Sequence, residues 1–198
     1  VNPPAMKGAP TKPVNATVKL VMVAPPAADL LAVFQGLATA WQGSMIREYP
    51  LAGLRALRWQ FPYRRNAMDK ELAVSVHALT GSPHHLAVRE ALLGNTDGIL
   101  FLLPLDPRQR QACIQSMQET SHIVKQLGAD LRDMPLALFY TQAHLATANA
   151  IRDWDRLLEC DRYQIPRFCL HSATDEGAQL AIHALIDRIL ATPRLRVL

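Results

Sequence analysis

The chain has 198 residues, 49% of them hydrophobic, with 21 Lys and Arg against 17 Asp and Glu and a formal charge of +4. That length fits one domain with a proper core. No run approaches the roughly 18 apolar residues of a membrane span, and the first residues do not resemble an apolar signal segment, so the expectation is a cytoplasmic protein without membrane association. The pI near 9.2 does not point to nucleic acid, because Lys7, Lys12 and Lys19 precede the first acidic residue and the rest, 18 basic against 17 acidic, is nearly neutral. The tightest basic group, Arg55, Arg58, Arg64 and Arg65, reads as a solvated face; phosphate-driven binding needs a more concentrated footprint.

Residues 1–16 carry Pro3, Pro4, Pro10 and Pro13 and almost no apolar periodicity, the signature of an extended or disordered tail. A domain over 17–192 follows, with 193–198 as a C-terminal tail. Leu20 to Val23 reads as a buried strand, Ala24 to Asp29 as a loop, and Leu30 onward as a helix with apolar residues at helical spacing. This is the outline of a phosphate-binding strand, loop and helix. Its phosphate ligands are missing: Pro25 and Pro26 remove donors, and Leu30 and Leu31 stand where Lys and Ser or Thr belong.

Trp41 to Lys70 is the least patterned stretch; within it Leu57 to Phe61 suits a strand bounded by Pro62. Alternate strand residues share a face, so Trp59 and Phe61 point together, either into the core or as a partner-binding patch, while Arg58 and Gln60 point the other way. Glu71 to Leu79 alternates and is rich in strand formers. Leu86 to Leu93 is helical with Gly94-Asn95 as its stop, and Gly98 to Leu103 is a continuous apolar strand. Asp106 to Leu127 predicts a long amphipathic helix closed by Gly128. Leu136 to Tyr140 follows as a strand, then Ala148 to Leu158 as a helix, Arg167 to His171 as a strand and Gly177 to Leu190 as the last helix. Strands alternating with helices at these lengths predict an α/β fold, a mostly parallel sheet with helices on both faces.

Few residues suggest chemistry of their own. Cys113, Cys160 and Cys169 are too few and scattered for disulfides or a metal cluster and read as buried free thiols. His84 and His85 are adjacent, so they point apart on a helix and lack the i, i+4 spacing of a metal pair; His77 and His144 lie elsewhere. No acid is placed to activate Ser82. Asp153-Trp154-Asp155 and Cys160-Asp161 suit a solvated helix face. Neither metal nor cofactor is expected.

The segment Val76 to Leu105, VHALTGSPHHLAVREALLGNTDGILFLLPL, resembles the second-switch region of Ras-like small GTPases, particularly the bacterial MglA-type polarity and gliding-motility GTPases. Gly81 matches the turn glycine of that region, Arg89 the helix arginine, and Asp97-Gly98 the turn before the next strand. Leu136 to Tyr140 matches the strand before the guanine-reading motif, and His171-Ser172-Ala173-Thr174, with Gly177 beyond, the Ser-Ala-Lys/Thr loop. The resemblance covers about residues 18–192 and implies a three-layer Ras-like fold.

Carried over residue by residue, it implies no GTP binding or hydrolysis. Thr141, Gln142 and His144 replace Asn, Lys and Asp of the guanine motif; Ser82 replaces the water-orienting Gln. Ala78 stands at a magnesium-linked Asp that MglA-type proteins also lack. The resemblance therefore implies a pseudo-GTPase acting through a protein partner, a roadblock/longin-type regulator in bacterial polarity, motility or signalling. Partner-binding candidates are Trp59, Phe61, Ser82, His84 and His85. Two other readings compete: an atypical NTPase in which Arg64 and Arg65 fold over the phosphate loop, and nucleic-acid binding through the basic tail.

Overall fold

The computed structural model describes residues 17–26, 28–39, 41, 45–51, 54–65, 71–80, 86–147, 149–170 and 176–191. Both tails therefore lie outside the described residues, as do Gly81, Ser82, His84, His85 and the His171 to Thr174 loop. Seven strands are described: β1 Thr17–Val23, β2 Met45–Leu51, β3 Leu54–Tyr63, β4 Leu72–Thr80, β5 Gly98–Pro104, β6 Leu136–Thr141 and β7 Arg167–Cys169. They form one sheet in the order β2-β3-β4-β1-β5-β6-β7. The helices are α1 Leu30–Thr39, α2 Leu86–Leu93, α3 Arg110–Gln126, α4 Ala150–Leu157 and α5 Glu176–Ala191.

Alternation along the strands divides the apolar residues between two cores. Val18, Leu20 and Met22 of β1, Leu100 and Leu102 of β5, and Phe139 of β6 meet Phe34 of α1 and Ile182 and Leu185 of α5. Val21, Ile99, Phe101, Leu103 and Leu138 project the other way, onto Leu93 of α2, Cys113 and Ile123 of α3, and Trp154 of α4. Since β5, β6 and the Leu20 to Met22 part of β1 bury both faces, these stretches are continuous apolar runs. The result is an α/β fold with helices on both sides.

The sheet is mixed. β4, β1, β5, β6 and β7 run parallel, but β2 pairs with β3 and β3 with β4 in antiparallel fashion. The strand carrying Trp59 is thus interior, and the edge is taken by Met45–Leu51, a strand absent from the sequence reading. Pro50 is compatible with β2 because an edge strand has one side free of ladder bonds. Pro62 is compatible with β3 for a related reason: among the described residues β2 pairs with β3 only as far as Gln60, which leaves that side of Pro62 without a described ladder partner.

Trp59 is fully enclosed and Phe61 is 3% exposed. With Phe34 and Trp41 they form an aromatic cluster beneath α1, with Trp41 to Phe61 centroids at 4.4 Å and Phe34 to Trp59 at 6.2 Å. This corrects their reading as a partner-binding patch: the side of β3 they occupy is covered by α1 and α5. Trp154 is likewise buried, so the Asp153 to Asp155 group is not a simple solvated face.

Candidate functional site

A ligand of an open parallel sheet sits at the carboxyl ends of its strands, and the loop after β1 is the place for a phosphate. Pro25 is buried there and Pro26 exposed; neither has an N–H. Two N–H groups of the described segment are bonded within it. Ala28 N–H donates to the Pro25 carbonyl at 3.0 Å and Leu30 N–H to the Ala28 carbonyl at 2.8 Å. Asp29 then caps α1, its carboxylate accepting from Ala32 N–H at 3.0 Å while its carbonyl accepts from Val33 N–H at 3.2 Å. A helix N-terminus attracts anions through its free N–H groups and dipole. Here a carboxylate of the chain already holds that position. Leu30 is buried in the core beneath it, and Leu31 packs against the same core.

Arg89, Asp97 and Gly98, the described residues matched in the switch-like segment, make contacts within the fold. Arg89 donates to Glu119 at 2.9 Å and ties α2 to α3. Asp97 Oδ2 accepts from Lys19 N–H at 2.8 Å, and Lys19 Nζ donates to the Gly94 carbonyl at 2.6 Å. Burial lowers the Lys19 pKa and raises that of Asp97, each against the pull of the other's charge. A Cβ at Gly98 would lie 2.8 Å from Ile189 Cδ1 and 3.2 Å from the Pro135 carbonyl. Asp97 and Gly98 thus anchor β5 beside β1 at the amino edge of the sheet.

At the place of the guanine-reading loop, Gln142 adopts a left-handed conformation with φ 56°, and its side-chain oxygen accepts from Gln109 at 3.2 Å. His144 is exposed. No carboxylate occupies that turn. Asp106, after β5, accepts from Arg108 Nε and NH2 at 3.0 and 2.8 Å; this guanidinium holds its pKa below the usual carboxylate range. Behind the loop, Tyr140 O–H donates to Asp155 Oδ1 at 2.7 Å, and Arg167 reaches Asp155 at 3.0 Å and Asp161 at 2.8 Å. Burial, then the Asp155 bond, pushes the Tyr140 phenol well above its ordinary value. This network pins α4 to β6 and β7.

The thiols are not reactive groups. Cys113 and Cys160 are buried and free, and burial pushes both up to about 11, leaving them protonated at neutral pH. Cys169 is only half-buried, which corrects its reading as a buried residue. Arg64 and Arg65 cannot reach the loop after β1. Arg64 pairs with Glu71 at 2.8 Å and Arg65 with Asp187 at 3.4 Å, at the end of β3 where Tyr63 pairs with Leu72. That is the amino edge, about 25 Å of strand from the carboxyl ends.

Cavities lined by described residues lie at both edges of the sheet. The hollow between Asp106, Arg110, Asp153 and Trp154 measures about 190 Å³, below the lower bound of about 300 Å³ for ligand pockets. A larger cleft of about 450 Å³, lined by Lys125, Arg132, Met134, Leu157 and Tyr163 among others, opens at the opposite edge. Among the described residues no three His, Cys, Asp or Glu side chains gather as metal ligands, and no helix is long and apolar enough to cross a membrane.

Fold and loops together define a three-layer α/β domain with a self-capped first loop. No protein-family model matches the chain, and none of the curated proteins compared with it is similar.

Proposed function

We propose that this chain is a Ras-like domain that has lost GTP binding and hydrolysis and acts as a protein-interaction module. The observation that carries the reading is the α1 N-terminus, where Asp29, two prolines and two leucines replace the donors and cation a triphosphate requires. A magnesium nucleotide placed there meets a carboxylate and apolar side chains, and unpaired charge in such surroundings costs several kcal/mol. The α/β layering, the helix residue Arg89 and the turn residues Asp97 and Gly98 support the resemblance in fold. The resemblance also supplies the partner class, a roadblock/longin-type regulator in bacterial polarity, motility or signalling. Thermal unfolding with and without excess GTP and magnesium tests the reading: the midpoint stays fixed, whereas a ligand bound to the folded state raises it with concentration.

A further inference from the structure

The cleft at the amino edge of the sheet, about 450 Å³, falls within the range of about 300–1,000 Å³ in which small molecules are held. Met117, Ser121 and Lys125 of α3 form one wall; spaced at i, i+4 and i+8, they lie on one face of that helix. The other wall is the turn after α4, with Leu158, Glu159, Tyr163 and Ile165. Leu136 and Leu138, alternate residues of β6 and so on one face of the sheet, close the floor.

The turn is braced from outside. Glu159 and Gln164 have φ of 48° and 50°, a left-handed conformation that non-glycine residues seldom adopt and that persists where the surroundings impose it. Arg188 of α5 supplies such a hold, donating to the Tyr163 and Gln164 carbonyls at 3.0 and 2.9 Å. The charges of the cleft are unevenly committed. Asp130 accepts from the Arg132 backbone N–H at 2.9 Å, and Glu159 pairs with Arg162 at 2.7 Å. Lys125 and the Arg132 guanidinium, both exposed, make no ion pair among the described residues. Below them the lining is apolar: Met117, Met134 and Leu158 pack against the inner core, and Leu157 beside them is 49% exposed.

We infer that this cleft binds a small amphipathic carboxylate, its apolar body against Met117, Met134 and Leu138 and its carboxylate between Lys125 and Arg132. A guanidinium offers a planar fork that matches a carboxylate, and the ammonium a second, movable donor. The two methionines adapt to apolar bodies of different shape. A single negative charge fits best, because the Asp130 and Glu159 carboxylates share the lining and repel each further charge on the ligand. The cleft lies at the edge opposite the loop after β1, so the inference stands apart from the loss of GTP binding.

Calorimetric titration of the full chain with sodium octanoate, below its micelle concentration, tests it. Saturable binding of one octanoate is expected, weakened about tenfold by Arg132→Gln, the scale of one charge-assisted hydrogen bond, weakened also by Lys125→Gln, abolished by Ser121→Trp, which fills the cleft, and unchanged by Arg152→Gln on α4. Absence of saturation, or equal loss with Arg152→Gln, overturns the inference. So does equal affinity for 1-octanol, which shows that the charge is not read, or equal affinity for acetate, which shows that the apolar lining is not. Arg132 and Lys125 are exposed, so their variants fold and the test does not depend on Ser121→Trp. A second readout is the melting midpoint: octanoate raises that of the parent and raises that of Arg132→Gln less, whereas equal rises place the ligand elsewhere and overturn the inference.

Discussion

Trp59 shows how one residue's pattern admits two meanings. Its alternation with Phe61 was legible in the sequence, but which face of the sheet the helices would cover was not. In the fold the ring is enclosed, with its indole N–H unpaired. Trp59→Ala should cost about 3–5 kcal/mol, as for other large buried aromatics, whereas Trp59→Phe should cost far less, since it also removes an unsatisfied donor. Urea unfolding of the two variants checks this; equal losses would mean that the N–H is bonded. His77 gives a pH signature. Its pKa falls from 6.5 to about 4, through burial first and then the Lys19 and Arg58 charges. The folded protein keeps it neutral while the unfolded chain takes up a proton, so this contribution is complete above pH about 6.5 and is lost as pH falls toward about 4. His77→Gln should flatten stability against pH in that window; His183, also lowered by burial, remains as a common background in both proteins. An unchanged slope would contradict the assignment.

At the scale of elements, the loop before α1 separates local capping from ligand binding. Asp29→Ala should destabilise the protein by about 1 kcal/mol through loss of the cap, while Asp29→Asn retains most of it; thermal melts distinguish them, and an unaffected Asp29→Ala variant would refute the cap. Gly98→Ala should cost about 1–3 kcal/mol, the usual range for overpacking, because the added methyl meets Ile189 and the Pro135 carbonyl. A melt equal to that of the parent would show that β5 can shift to admit it. The elements that were legible share a cause. β5, β6 and the Leu20 to Met22 part of β1 are buried on both faces and appear as apolar runs; α2 and α5 carry helical spacing. The β2-β3 hairpin was illegible beyond Leu57 to Phe61, because Pro50 and Pro62 signal strand ends when read locally. They are tolerated because the strand order leaves each with one side lacking a described ladder partner, and strand order is a property of the whole sheet. The long helix expected from Asp106 begins instead with a 3-10 turn at Pro107–Gln109, capped by Asp106, and α3 starts at Arg110.

At the scale of the molecule, among the described residues at the carboxyl edge, where a parallel sheet usually receives its ligand, Pro25 is buried and Asp29 caps α1 in the loop after β1. That Leu30, Leu31, Gln142 and His144 differ from the nucleotide-binding motifs could be read from the sequence. What no motif records is that Asp29 caps the α1 N-terminus, or that Arg47, Arg58 and His77 stand in register across three strands; both depend on geometry between residues that composition treats as unrelated. Isothermal calorimetry with GTP and GDP in the presence of magnesium tests the central claim most directly. The account predicts no heat beyond dilution; a saturable, magnesium-dependent isotherm in the micromolar range would contradict it.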